Sequence, residues 1–506
     1  MAQAADYTIE NSTGANVRAD INTVLQAIAT NNSGSSAAST TFASGFFANT
    51  STSMMQLRNT ANNAFLDLFT LAGGPAFPID GTINSVNIGK GANSVSGNTV
   101  LGESALDAAV TGSNNTAIGK DVLDALTSGF NNSALGTSAM SAATTAQNCV
   151  AVGQNCLLSN QDGNNNVSIG QGALQNLVSG VDNVALGRLC LNQSTASDNV
   201  GVGRSALQLN TSGTNNVAVG AFALDANTEA DNNTAVGRSS LSENTTGAQN
   251  TAVGKGSLSE NTTGQQNTAV GSFSLDANTT GSNSTALGFN SLSAQSTGGP
   301  CTAVGSGSLD NNTTGTNNTA VGFDALDANV SANNSTAVGH NALTNATGAQ
   351  NTALGATAGD LITTGSNCTS LGFAADPSAN DATNEITLGN SSITAIRCQV
   401  QTISALSDER DKTDIVDSED GLNLINALRP RKFTWAMREP SDNNGKTELG
   451  FIAQEIDAAL GDKNDYIGAV YKSNPEKLEA SYGKFVPILV KAVQELSAKV
   501  TALEAG

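Results

Sequence analysis

The chain has 506 residues, with 43 acidic against 22 basic side chains and a formal net charge of −21. Aromatic residues make up 4%, with one Trp and one His. Nucleic acid calls for Lys and Arg patches, which this balance does not supply, and no apolar run is long enough for membrane insertion.

The opening Met1-Ala-Gln-Ala-Ala-Asp lacks the basic-then-apolar pattern of a secretory signal peptide. Residues 1–80 stand outside the pattern that follows. Ile21, Leu25 and Ile28 are spaced four and three apart, which predicts a short amphipathic helix over Arg18–Ala29. The Ser- and Thr-rich run from Asn31 has linker composition, and the block from Met54 to Phe65 predicts a small β element.

From residue 81 to 389 the chain repeats. Asn250-Thr-Ala-Val-Gly opens a 17-residue unit that meets its own copy at Asn267-Thr-Ala-Val-Gly. Taking the glycine of this motif as marker, nineteen copies run from Gly89 to Gly389, nearly all 17 residues apart. A fixed short period is the signature of stacked repeats. An aliphatic residue precedes every marker, a small residue precedes that, and Val or Thr mostly stands before both. That alternation predicts a strand with one buried face. Leu or Met follows four residues after the marker, from Leu106 through Met140 to Leu343. A second glycine often lies seven residues before it (Gly112, Gly247, Gly264), which predicts positive φ and two turns per unit.

Seventeen residues with two turns and two short strands cannot enclose a core alone, but stacked copies can. The expected fold is mainly β: an elongated β-solenoid or β-roll, each repeat adding a rung about 4.8 Å tall, to a length on the order of 90 Å. A helical solenoid fits poorly, because Gly, Asn and Thr are weak helix formers. Asn recurs four residues before the marker (Asn115, Asn250, Asn267), so an amide ladder is expected along the stack. Cys149, Cys301 and Cys368 take the same slot, and Cys156 and Cys190 the small slot before the Leu. They read as buried filler rather than a disulfide framework. His340 reads as an exposed loop residue, no metal-ligand spacing emerges, and no cofactor is expected.

After Gly389 the repeat stops. Residues 390–406 read as a β neck. Charge then rises sharply, with 31 charged residues in the last hundred. Within Ala405-Leu-Ser-Asp-Glu-Arg-Asp-Lys-Thr-Asp-Ile415, Ser407 stands beside the carbonyl of Leu406 and Lys412 lies five residues on. Attack through a five-membered ring benefits from a high effective concentration, and a desolvated lysine can act as base for a serine. The plainer reading makes Ser-Asp-Glu-Arg a helix N-cap and Lys412 a surface charge. Leu489, Val493, Leu496, Val500 and Leu503 alternate four and three apart, the a/d seam of a short coiled coil.

Three resemblances rest on these residues. Tyr7-Thr-Ile-Glu-Asn-Ser-Thr-Gly with Leu57-Arg-Asn-Thr-Ala-Asn-Asn-Ala resembles the N-termini of bacteriophage tail fibres, the end that joins virion tail or adaptor proteins. A generic cap for the first rung is the alternative. The Asn-Thr-Ala-Val-Gly words resemble the heads of trimeric autotransporter adhesins and the repeat shafts of phage and algal-virus fibres. Residues 407–506, through Ala405–Ile415, Leu428-Arg-Pro-Arg-Lys-Phe-Thr-Trp435, Leu449-Gly-Phe-Ile-Ala-Gln-Glu-Ile456 and Pro487-Ile-Leu-Val-Lys-Ala-Val-Gln-Glu-Leu496, resemble the self-cleaving intramolecular chaperone of endosialidase tailspikes. That resemblance implies a small α+β domain, a homotrimer, Ser407 as nucleophile, Lys412 as its base, and a cut between Leu406 and Ser407. Glu455 reads as structural.

The expectation is a trimeric viral tail fibre, part of the virion and made in the host cytoplasm, that meets a host surface receptor such as a glycan or outer-membrane component. Two alternatives remain at this point. One is a tailspike depolymerase, which would pair carboxylates. However, Asp225, Glu243, Glu260 and Asp276 keep repeat register and read as solvated loop residues. The other is a cell-surface adhesin.

Overall fold

The structure is a computed structural model. It describes strand segments between residues 33 and 83, then residues 85–393, 395–397, 407–436, 444–472, 475–476 and 478–506. The expected helix over Arg18–Ala29 lies outside the described residues. The chain divides into two units, Met1–Asn216 and Val217–Gly506.

In the first unit, Phe46–Asn49, Met54–Arg58 and Phe65–Thr70 form an antiparallel sheet, which contains the β element expected at Met54. Ser33–Gly34 of the expected linker joins it as a parallel edge strand beside Ala48 and Asn49. Backbone pairing there outweighs linker composition. A short antiparallel set, Gly81–Ile83, Val86–Gly89 and Thr99–Gly102, leads into the repeats. Parallel three-residue strands follow, one per repeat, from Thr116–Ile118 to Val200–Val202. The second unit continues the same way from Val217–Val219 to Ile386–Leu388. Like residues pair with like, as Thr251, Ala252 and Val253 do with Thr268, Ala269 and Val270. The protein is a β-solenoid of 17-residue repeats.

Each repeat holds one strand, not two. After Gly254 the backbone turns continually: Leu258 donates to the carbonyl of Ser274 on the next rung at 3.0 Å, and Asn261 donates back to Leu258 at 3.2 Å. Leu258 itself is left-handed, φ 51°, as are its counterparts from Leu106 to Leu343. That region costs a side-chain-bearing residue roughly 1–2 kcal/mol, which a strand could not impose. Burial offsets it, since Leu258 is fully enclosed and enclosing a leucine contributes about 1.5–3 kcal/mol.

The glycine seven residues before the marker has a different role from the expected one. Gly247 and Gly264 do not take positive φ. They are required for space, because a Cβ on Gly247 would stand 2.3 Å from the carbonyl oxygen of Gly264. The marker Gly254 combines both constraints, with φ 140° and a Cβ position 2.3 Å from the oxygen of Gly271.

The strand buries its small residue. Ala252 and Ala269 are fully enclosed, while the flanking Thr and Val are partly exposed or exposed. A 17-residue coil has interior room for one Ala, one Leu, the small residue before that Leu and two Asn per rung, so larger strand residues face outward. The slot after the marker is exposed or half-exposed as well. All six Lys and Arg residues between 81 and 389 occupy it: Lys90, Lys120, Arg188 and Arg204 in the first unit, Arg238 and Lys255 in the second. Phe289, Phe323, His340 and Phe373 follow in the same slot. His340 is exposed as expected and stacks on Phe323 at 5.4 Å.

The asparagine ladder joins side chain to backbone on most rungs, with direct amide–amide bonds as well in the first unit, as from Asn132 Nδ2 to Asn115 Oδ1 at 3.0 Å. Asn250 Oδ1 accepts the N–H of Asn267 at 3.0 Å, and its Nδ2 donates to the Gly264 carbonyl at 2.9 Å. One amide thus ties two parts of the following rung. A second buried column, absent from the sequence reading, joins Asn244, Asn261 and Asn278: Asn261 Nδ2 donates to Asn244 Oδ1 at 2.8 Å and Asn278 Nδ2 to Asn261 Oδ1 at 2.7 Å. The five described cysteines are free and buried. Burial pushes their thiols up, that of Cys190 to about 12.

Past Leu388 the expected β neck has no strand among its described residues; the rest of 390–406 lies outside them. A strand needs a partner for its ladder, and no described segment pairs with this one. The C-terminal region is small and α+β. It contains α1 (Leu422–Ala427), a hairpin of Arg431–Thr434 with Thr447–Gly450, α2 (Ala453–Leu460), α3 (Asn464–Ile467), the short pair Val470–Tyr471 with Glu479–Ala480, and the terminal helix α4 (Val486–Glu504). Leu424, Ile456, Leu460, Ala469, Val470, Phe485 and Ile488 form its core.

Candidate self-cleavage site

Ser407 opens the C-terminal region on a tight turn. Asp408 caps the short 3₁₀ turn Glu409–Asp411 by accepting the N–H of Arg410 at 2.9 Å. The Arg410 guanidinium also pairs with Asp408 and holds its carboxyl below the usual range. The cap role foreseen for this stretch therefore falls to Asp408, which leaves the Ser407 hydroxyl free. Lys412 ends the turn, its N–H donating to Glu409 at 3.1 Å. Its side chain folds back so that Nζ lies 2.6 Å from Ser407 Oγ and 3.2 Å from the Ser407 carbonyl.

The two residues that the resemblance pointed to thus meet at hydrogen-bonding distance. Leu406 lies outside the described residues. Both Ser407 and Lys412 are exposed, so the burial that a lysine base requires is not provided within the described chain. This differs from the buried amine expected from sequence. The physical reason is the acidic, apolar-poor composition of Ser407–Asp420, which has nothing to fold over the pair.

Other carboxylates of the C-terminal region hold its elements together. Glu455, on α2, receives Arg431 Nε at 2.9 Å with a second guanidinium contact, and Arg429 lies 3.7 Å away. Arg431 lowers its pKa, and the carboxylate ties α2 to the hairpin. Asp420, nearly enclosed, is bound by Lys463 and by the Tyr466 hydroxyl, which hold its carboxyl low. Sequence reading missed this cluster, because 43 residues separate Asp420 from Lys463 and no local spacing announces it. Glu495 of α4 accepts the N–H of Leu422 at 2.9 Å and so anchors α1.

Residues 407–464 match the family model described as chaperone of endosialidase. The endosialidase-chaperone match begins at Ser407, the residue that the turn presents to Lys412, and takes in the hairpin and α2. Together with the 17-residue solenoid it fits the resemblance to tail fibres that carry such a chaperone. The last resembling block, Pro487–Leu496, lies beyond the matched residues. Comparison with curated proteins and with solved structures gives no match.

The shaft carboxylates need one correction. Glu243 and Glu260 are exposed, as expected, but Asp225 and Asp276 are half-buried and each has an Oδ1 without a partner. Burial first, with Glu243 beside Asp225 and Glu260 and Asp310 beside Asp276, pushes each carboxyl up to about 6. Among the described residues no cluster of His, Cys, Asp and Glu could hold a metal ion, and no helix is long and apolar enough to cross a membrane.

Proposed function

We propose that this chain is the subunit of a homotrimeric viral tail fibre. Residues 1–80 attach it to tail or adaptor proteins of the virion, and the solenoid provides reach and contact with a host surface receptor, a glycan or outer-membrane component. Residues 407–506 gather three chains before the rungs stack. The reading is carried by one observation, an endosialidase-chaperone segment directly following a long in-register solenoid. Parallel repeats need such help because a slip of one unit costs little locally.

The Ser407–Lys412 contact supports a release step. Oγ attacks the Leu406 carbonyl carbon while the Lys412 amine takes the hydroxyl proton. The C–N bond breaks, the Ser407 nitrogen takes that proton, and an ester joins Leu406 to Ser407 Oγ. Water then hydrolyses the ester to a Leu406 carboxylate and restores the hydroxyl. On this reading the exposed Lys412 is desolvated only when other copies pack around it.

Intact mass and unheated gel migration test both parts. The wild type is expected to lose residues 407–506 and to run as an SDS-resistant trimer, while Ser407→Ala keeps its full mass. A wild-type chain that stays whole under all assembly conditions overturns the release step. One of single-chain mass overturns the trimer.

A further inference from the structure

The geometry points to the outward strand face of the second unit as the surface on which two further copies of this chain pack, parallel and in register. The inference rests on the homotrimer reading and deepens it by naming the contact. The residue before each marker glycine points away from the enclosed Ala, and large apolar side chains there remain open. Leu287 is 46% exposed, Leu354 54% and Leu388 51%. Phe289 and Phe373, two residues further along their rungs, are 54% and 66% exposed. Soluble chains rarely leave so long an apolar strip uncovered.

Three observations select another copy as the cover. Eleven strands from Val217–Val219 to Ile386–Leu388 present the face, nine of them with a Thr beside the outward Val or Leu, each about 10 Å wide and about 4.8 Å tall, roughly 500 Å² in all. Counted on this unit alone and shared between two copies, that is a partial contact beside the ~800 Å² per partner of a standard stable interface, and the α4 seam adds to it. The strip also repeats at the rung spacing, so only a partner with the same rise meets it tooth by tooth along its length. Independently, α4 turns Ile488 and Ala492 into its domain but leaves Leu489, Val493, Leu496, Val500 and Leu503 between 44% and 82% exposed. An a/d seam of this kind is filled by partner helices in a coiled coil, and here the other copies supply them.

The test uses the full chain in a Cys398→Ser background, the five described thiols being buried. Leu354→Cys and Val330→Cys compare two similarly open positions, 54% and 48% exposed, of which only the first lies on the strip. A short bismaleimide is expected to link Leu354→Cys chains to one another and to leave Val330→Cys chains single. The triple variant Leu287→Asp, Leu354→Asp, Leu371→Asp is expected to lose SDS resistance on an unheated gel, and Val330→Asp, Leu361→Asp to keep it. A trimeric wild type whose Val330→Cys chains crosslink while Leu354→Cys chains do not overturns this surface and leaves the trimer standing, with a glycan or an unrelated protein then the occupant of the strip. A wild type of single-chain mass removes the trimer itself.

Discussion

Replacing Asn250 tests the stacking logic most directly. Its amide makes two bonds to the next rung, Oδ1 to the Asn267 N–H at 3.0 Å and Nδ2 to the Gly264 carbonyl at 2.9 Å. Asn250→Ala removes both and strands a buried donor and a buried acceptor. At about 1–3 kcal/mol for each unsatisfied group, the expected loss is roughly 3–5 kcal/mol. Nature has already placed a partial substitute in this slot. Cys149 Sγ reaches the Gly163 carbonyl at 3.3 Å and Cys301 Sγ the Gly315 carbonyl at 3.4 Å, the positions that Nδ2 serves elsewhere. Asn250→Cys therefore keeps the donor, loses the acceptor, and is expected to cost about half as much. Because contacts in a stacked array pass only to neighbours, the damage stays local. Hydrogen exchange read by mass spectrometry is expected to speed up by about a hundredfold or more for Asn250→Ala in peptides spanning residues 250–285, with little change over residues 319–340. Equal exchange in the Ala and Cys variants, or acceleration spread evenly along the shaft, would refute the two-bond account.

Gly254→Ala is expected to abolish soluble shaft, since its Cβ would meet the Gly271 oxygen at 2.3 Å; a soluble, fully protected variant would contradict the close approach. Ser239→Gly, at a left-handed position with φ 56°, is expected to raise thermal stability by about 1 kcal/mol, measured by circular dichroism. For Asp225 and Asp276 the folded value, about 6, lies above the ordinary 3.8, so the folded chain binds more protons between those values. Their contribution is fully present below about pH 4 and is lost as pH rises through about 6. Allowing for half-exposure, each accounts for roughly 1 kcal/mol. Asp276→Asn is expected to stabilise the shaft at pH 8 and to flatten this slope; denaturation curves at pH 4 and pH 8 decide it. Asp420 goes the other way, its depressed carboxyl supporting the C-terminal domain at neutral pH and failing as acid protonates it. Melting of that domain followed at Trp435 is expected to become less acid-sensitive in Asp420→Asn, starting from a lower neutral value.

The period was legible because marker glycines such as Gly254 answer to two constraints at once, and nothing else fits. The ladder at Asn250 was legible for the same reason, as no turn preference alone explains its recurrence. Asn261 was hidden, because in Asn-Thr-Thr-Gly turn composition accounts for it equally well. Left-handed Leu258 was invisible in principle, since propensity argues against it and only the enclosed stack sustains it. At the C-terminal end, Ser407 and Lys412 were found through sequence words, and their five-residue separation let one turn join them. Asp420 and Lys463 meet only through the tertiary fold. Which face of the strand is buried could not be read from Thr-Ala-Val, because large-small-large is equally regular from either side.

The slot after the marker glycine touches no interior neighbour, and it carries lysine, arginine, serine, phenylalanine and histidine on an otherwise uniform scaffold. Away from the packed face that Phe289 and Phe373 adjoin, substitution there leaves the enclosed Ala, Leu and Asn of the coil in place. A lineage can therefore rewrite the outward chemistry of the shaft one rung at a time, changing what it meets without redesigning how it stands.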